Sequence, residues 1–404
     1  MRMKNILYCE HNIDGTIGGS YYSLFFLVTG LDKKSYRPLV VFYTHNMMVE
    51  KLKEAGVETM VIEPPAPVLL SVDNSGNERK GKRSGFLKVT RKTTNLFKLF
   101  LLPALRNYFF LGRHRIDIVH LNNSILHNHD WMLAAMLRNI PCITHERGIN
   151  NQFPFLARFF GKRLHAIICI SEAVRQNMKA HGVDYENMVT IHNGFDPDTA
   201  VVRTPPDVIR ERHGIREGDL TLGIVGNIKE WKGQETVVRS IDILRKTFPN
   251  VKCLIVGDTS EGDRYYEKQI RDLIDRMDLT RNIIFTGFQK NVPDYINVMD
   301  ILIHASIDPE PFGRVLLEGM ALKKALVGAN GGAVPEIVEE GVSGLTFIPG
   351  DPESLAAAIT SIASDQGRMK RMGEMGYLRL MERFHIRQNL EATERIYAPR
   401  IVET

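Results

Sequence analysis

Short apolar runs alternate with longer amphipathic segments along nearly the whole chain, and the series starts twice. "KNILYCE", "RPLVVFYTH", "IDIVHLN", "CITHE" and "AIICIS" form the first series, and "LTLGIVGNI", "KCLIVGD", "NIIFTGF", "DILIHAS" and "KALVGAN" the second. Strand-like runs separated by helix-length segments cannot pair as tight hairpins. They predict parallel strands joined by crossover helices, and a series that restarts predicts two such sheets. At 404 residues the chain is also too long for one ordinary core. The Pro- and Asp-rich stretch "GFDPDTAVVRTPPDVI" marks the join, giving α/β domains over 1–200 and 201–384, and residues 71–85 read as a loop.

Charge and cysteine usage narrow the setting. Residues 79–115 carry eleven Lys/Arg and no acid, interleaved with Phe and Leu. Such a segment either lies on an anionic membrane surface or packs its apolar side on its own domain with the charges solvated. No nucleic-acid motif accompanies the charge, so nucleic acid is not expected as a partner. The N-terminal run lacks the pattern of a signal peptide, and no apolar run is long enough to span a bilayer. Cys9, Cys142, Cys169 and Cys253 are widely spaced in or beside strand-like runs, which predicts buried free thiols in a reducing, cytoplasmic compartment.

Parallel sheets bind ligands at the carboxyl ends of their strands, so residues there are the candidates. Gly15, Gly18 and Gly19 follow the first strand and allow close backbone approach to a phosphate or sugar, or simply a tight turn. The spacing is not G-x-G-x-x-G, and the second strand ends in His45 and Asn46 instead of an acid, which disfavours a nicotinamide dinucleotide. His120, His127, His129 and Asp130 cluster without metal-ligand spacing, and His145 ends another strand where a ligand would lie. Asp196 and Asp198 read as turn chemistry. Lys232-Gly233 opens a helix after the Gly226 turn, a place suited equally to a diphosphate or to a surface lysine.

"DPEPFGRVLLEGM" places Glu310 before a helix start and Glu318 inside the helix, with the first-turn amides of Phe312, Gly313 and Arg314 between them. Spacing alone leaves open an acid–base pair or two separate tasks at one ligand. "GGAVPEIVEEGVSG" adds a glycine loop with Glu336 at a helix start.

Together, "VGNIKEWKG", "FTGF", "EPFGRVLLEGMA", "GGAVPEIVEEGVSGLTFIPGD", the first glycine loop, "THE", "ISEAV" and "IHNGFD" resemble, in order and spacing, the retaining family 4 glycosyltransferases of the GT-B fold. The resemblance covers nearly the whole chain. It implies two Rossmann-like domains facing across a cleft, with the last helix, 385–404, crossing back to the first. It also implies a nucleotide-sugar donor and a glycan or lipid-linked acceptor, a role in cell-envelope polysaccharide synthesis, and no metal or other cofactor. Lys232 and the amides of Phe312, Gly313 and Arg314 would hold the diphosphate, and Glu318 the ribose. Glu310 would bind the donor sugar, His145 would face it, Gly18 and Gly19 would approach the diphosphate or acceptor, and the backbone near Phe288 would meet the base. The family often has arginine where Asn227 stands, so Arg147 or Arg314 is expected to supply the missing charge. A sugar-nucleotide epimerase or a non-catalytic binding subunit on the same fold is the alternative.

Overall fold

The structure, a computed structural model, describes residues 2–11, 18–65 and 94–398. Gly15, the loop read at 71–85 and the 79–93 part of the basic segment lie outside the described residues. The chain divides into two compact units.

The first unit holds a seven-stranded sheet of β1 (Lys4–Glu10), β2 (Tyr36–Phe42), β3 (Glu58–Val61), β4 (Ile118–Leu121), β5 (Cys142–Glu146), β6 (Ala166–Cys169) and β7 (Met188–Thr190). Its order is β3-β2-β1-β4-β5-β6-β7, with every neighbouring pair parallel. The second unit holds β8 (Thr221–Val225), β9 (Lys252–Val256), β10 (Ile283–Gly287), β11 (Ile301–His304), β12 (Ala325–Ala329) and β13 (Gly344–Phe347), in the order β10-β9-β8-β11-β12-β13 and also parallel throughout. Helices cover both faces of a parallel sheet, so its central strands are apolar on both sides. Ile6, Leu7, Tyr8 and Cys9 of β1 are all fully buried, as are Ile301, Leu302 and Ile303 of β11. β3, β7 and β13 escape the sequence pattern because they are short edge strands ("ETMV", "MVT", "GLTF") with polar or exposed residues.

Both sheets are doubly wound. Chain order reverses between β1 and β4 in one and between β8 and β11 in the other, and crevices for ligands form at such reversals. Gly18, which caps the first helix, follows β1 in the chain. Lys232 follows β8, and Glu310 follows β11.

The unit boundaries differ from the expected 200/201 and 385. The first unit ends at Ile191, and Ser171–Val174 and His192–Asn389 belong to the second. The reason is side-chain anchoring within the second unit: the Ser171 hydroxyl donates to the Pro311 carbonyl (2.7 Å) and His192 Nε2 meets Glu336 (2.7 Å). Phe195 also bridges to His385. The final helix, Ile386–Tyr397, enters the first unit from Leu390 onward. There the Asp32 N–H donates to Glu394 (3.0 Å), and the Leu390 side chain fills the space beside Gly30. All four cysteines are buried and free.

The described part of the basic segment is a π-type turn, Phe97–Leu101, running into a helix, Leu102–Arg113. Pro103, Ala104, Asn107 and Leu111 pack inward, yet Leu99, Leu102, Leu105 and Phe109 are exposed beside exposed Arg106 and Arg113. Its outer face is therefore apolar as well as basic. Among the described residues, no helix is long and apolar enough to cross a membrane.

The helix after Glu310, Arg314–Ala321, sits close on β11 and β12 because Gly319 lacks a side chain. A Cβ there would lie 2.5 Å from Leu302 Cδ2 and 2.8 Å from Leu326 Cδ2. Helix propensity alone favours replacing a helical glycine, by about 1 kcal/mol. Overpacking opposes it, so Gly319→Val is expected to destabilise by about 1–3 kcal/mol in urea denaturation; a gain in stability would show that this approach is not tight.

Candidate active site

In the second unit, sequence-distant groups converge on one carboxylate oxygen. Glu310 Oε2 accepts hydrogen bonds from Lys232 Nζ (2.7 Å), Ser306 Oγ (3.1 Å) and His304 Nε2 (3.2 Å). Burial disfavours the charge on Glu310, but the His304 hydrogen bond and the Lys232 ammonium outweigh it and hold the carboxyl at about 2. Oε1 stays outside this network, and Lys232 keeps two of its three N–H donors. A carboxylate so tied is a poor general base and a rigid acceptor for hydroxyl groups.

Two glycines build this arrangement. Lys232 ends a short 3₁₀ turn, Glu230–Lys232, after β8, and Gly233 follows at φ +72°. A Cβ on Gly233 would lie 2.0 Å from the Ala305 carbonyl oxygen, so only glycine lets this turn close onto the end of β11. The Ile307 N–H donates to the Trp231 carbonyl (2.8 Å) and completes that closure. Across the site, the loop after β12 clamps the Glu310 backbone: the Ala333 N–H donates to its carbonyl (2.9 Å), and Gly332 (φ +57°) lies against it with no room for a Cβ.

The Arg314–Ala321 helix begins beside the cluster, with Gly313 at its N-cap. A Cβ on Gly313 would lie 3.6 Å from both Glu310 Cγ and His304 Nε2. First-turn amides have no acceptor within their own helix, and the helix dipole adds positive potential there. The Phe312 ring turns inward against His192 and Phe384 (6.2 Å each), which fixes the backbone of this turn. Glu318, half-buried farther along the helix, is pushed up by burial and partly drawn back by Arg314. It shares no hydrogen-bond partner with Glu310, so the two glutamates do not form a coupled acid–base pair. Asn227 is exposed, and its carbonyl accepts from the Gln234 side chain (3.1 Å). Phe288, 74% exposed, follows β10, an edge strand separated from β8 by β9. Glu336 is a structural anchor, accepting from the Glu172 and Ala173 N–H groups (2.8 and 2.7 Å) and from His192.

In the first unit, His145 lies one residue before the end of β5 and is buried. Its Nδ1 meets His120 Nε2 at 2.7 Å, and the two rings stack at 4.7 Å. Burial and the Arg147 guanidinium hold both imidazoles neutral, His120 down at about 3. Arg147 is itself held by the carbonyl (2.9 Å) and side chain (2.8 Å) of Asn122. Gly18 caps the Gly19–Gly30 helix in ordinary extended backbone, and among the described residues nothing lies near where a Cβ would sit. Among the described residues, no group of three or more His, Cys, Asp or Glu could hold a metal ion.

His304 and Ser306 were not singled out as functional residues from the sequence, and His120 was noted only as one of a strand-end histidine cluster. The signal was present for His304 and Ser306: they end the strand that leads directly into the Glu310 motif. For Tyr397, which bonds His120, the sequence holds no such signal.

Comparison with known proteins agrees with this architecture. Residues 206–379 match the family model described as glycosyl transferases group 1, and residues 40–199 match that described as Glycosyltransferase Family 4. The N-acetyl-alpha-D-glucosaminyl L-malate synthase of Bacillus anthracis is 23% identical over 76% of this chain and 82% of its own. The lipopolysaccharide core biosynthesis mannosyltransferase LpsB of Rhizobium meliloti is 24% identical over 60% and 67%. The crystal structure of Anabaena Alr3699/HepE in complex with UDP superimposes with a TM-score of 0.81 at 22% identity, covering 98% of this chain and 99% of that one. Two glycosyltransferase family models that account for most of the chain, over two doubly wound sheets, make the protein a glycosyltransferase of the family 4 type with the GT-B fold.

Proposed function

We propose that the protein transfers a sugar, with retention of anomeric configuration, from a nucleotide-sugar donor to a glycan or lipid-linked acceptor in cell-envelope polysaccharide synthesis. The observation that carries this reading is the convergence of Lys232, His304 and Ser306 on Glu310 beside the N-terminus of the Arg314–Ala321 helix. That grouping suits a ligand with a diphosphate joined to a polyol. Similarity to HepE, solved with UDP and with UDP-glucose, and to an LpsB mannosyltransferase supports the donor class and the envelope role.

In this reading the two free N–H donors of Lys232 and the amides of Phe312, Gly313 and Arg314 hold the diphosphate and stabilise it as it leaves. No metal or other cofactor is assigned. Glu310 Oε1 accepts from donor-sugar hydroxyls, Glu318 binds the ribose, and the backbone at Phe288 meets the base. Arg314, at the helix start, supplies the charge that Asn227 lacks. In the first unit, His145 is assigned to the reacting sugar and Gly18 and Gly19 to close backbone approach to the diphosphate or acceptor. The acceptor hydroxyl oxygen attacks the anomeric carbon on the face the phosphate leaves. The carbon–phosphate-oxygen bond breaks as the new glycosidic bond forms, and the acceptor's proton passes to the departing phosphate oxygen. We assign the protein to the cytoplasm, at the inner face of the cell membrane. The exposed leucines and Phe109 beside Arg106 and Arg113 support docking on anionic lipid.

Three measurements test these assignments. Lys232→Ala is expected to weaken UDP binding roughly ten- to hundredfold, the range for a lost hydrogen bond to a charged group. Glu318→Ala is expected mainly to weaken UDP binding and Glu310→Ala mainly to slow transfer; equal effects of both on UDP affinity would contradict the division of labour. The second measurement is pH-dependent stability. Because Glu310 is held at about 2 against an ordinary 4.5, its ionised form stabilises the fold at neutral pH, and this is lost as pH falls from 4.5 toward 2. The melting-temperature advantage of wild type over Glu310→Gln should therefore be flat above about pH 5.5, on the order of one pH unit past the ordinary value, and shrink below it. The third is co-sedimentation with vesicles containing anionic lipid. Binding should fall when Arg106 and Arg113 are reversed to Glu, and unchanged binding would remove the membrane assignment.

A further inference from the structure

Four buried side chains of the first unit form one continuous hydrogen-bonded file. The Tyr8 and Tyr397 hydroxyls are 2.8 Å apart, the Tyr397 hydroxyl bonds His120 Nδ1, and His120 Nε2 bonds His145 Nδ1 at 2.7 Å. All four residues are at most 2% exposed. Burial favours the neutral form of each, so every link holds one hydrogen and the file has only two possible directions.

In one direction the hydrogens point away from His145. His145 Nδ1–H donates to His120, His120 Nδ1–H to Tyr397, and the Tyr397 hydroxyl to Tyr8. The Tyr8 hydroxyl hydrogen then has no acceptor among the described residues, since its bond to Tyr397 is the only one this fully buried hydroxyl makes there. In the other direction the one hydrogen outside the three links is on His145 Nε2, an atom that keeps some contact with solvent, and at the far end only lone pairs on the Tyr8 oxygen go unfilled. A buried donor without an acceptor is rarer and more costly than a spare lone pair.

We propose that the file has this second direction: Tyr8 donates to Tyr397, Tyr397 to His120, and His120 Nε2–H to His145 Nδ1. His145 then carries its hydrogen on Nε2 and serves as a hydrogen-bond donor to a sugar hydroxyl or phosphate oxygen, not as a base. Tyr8, Tyr397 and His120 are positioning residues that fix this tautomer, and Tyr397 brings the last helix of the chain into that task. The role at the sugar rests on the donor reading given above; the direction of the file does not.

The test has two arms. In 15N-histidine-labelled wild-type protein, with resonances assigned by single-histidine substitution, nitrogen chemical shifts are expected to show neutral Nε2–H tautomers for both His120 and His145 at pH 7. An Nδ1–H tautomer or a cation at His145 overturns the proposal. In the second arm, turnover of UDP-glucose is the probe. A glutamine amide can both accept from Tyr397 and donate to His145, whereas leucine can do neither. His120→Leu is expected to lower kcat about tenfold with KM little changed, and His120→Gln to restore most of it. Equal turnover in the two variants overturns the positioning role. Absence of wild-type turnover together with the Nε2–H tautomer would refute the donor reading while sustaining the direction of the file.

Discussion

One carboxylate oxygen organises the second unit's crevice. Three donors from two strand ends meet at Glu310 Oε2, and one of them, Lys232, arrives from the β8 side while Ser306 and His304 come from the β11 side. The bond therefore spans the reversal in strand order. It fixes a cation at one edge of the crevice and leaves a carboxylate oxygen at the other. A buried ion pair contributes little to stability unless its partners are fully hydrogen-bonded. Here the extra donors compensate the carboxylate, and the arrangement gains positional precision in the crevice.

Backbone geometry makes that bond affordable. Gly233 lets the Lys232 turn close over the Ala305 carbonyl, Gly332 lets the loop after β12 press on the Glu310 backbone, and Gly319 lets the adjoining helix lie close on β11 and β12. A side chain at any of the three would move a different wall of the same site. The first unit solves a similar problem with hydrogen bonds instead of charge: a file of two tyrosines and two histidines orients one strand-end imidazole. Both devices hold polar groups still in low-dielectric surroundings, the condition under which fixed dipoles and charges act most strongly on a ligand.

Much of this was legible in the sequence, for physical reasons. Central strands of parallel sheets are buried on both faces, so "DILIHAS" and "AIICIS" announce themselves as continuous apolar runs. Edge strands such as Gly344–Phe347 do not, because half their surface tolerates polar residues. Lys232, Glu310 and Gly313 were visible through motif spacing, and the structure brings them together. The unit boundary at Ile191 was not, because it is set by the long-range anchors of Ser171 and His192. Nor was the role of Tyr397, whose hydroxyl meets His120 across 277 positions of sequence. The basic segment was ambiguous between two faces, and only the structure shows leucines and arginines sharing the outer one.

The central claim is that the Glu310 cluster and its neighbouring helix N-terminus hold a nucleoside diphosphate. The most direct measurement is a thermal-shift titration of wild type and Lys232→Glu with nucleoside diphosphates and their sugars, since a ligand that binds only the folded chain raises its melting temperature by mass action. The account predicts a concentration-dependent rise with at least one nucleoside diphosphate in wild type and its loss in Lys232→Glu. No rise with any of them, or an equal rise in both proteins, would contradict it.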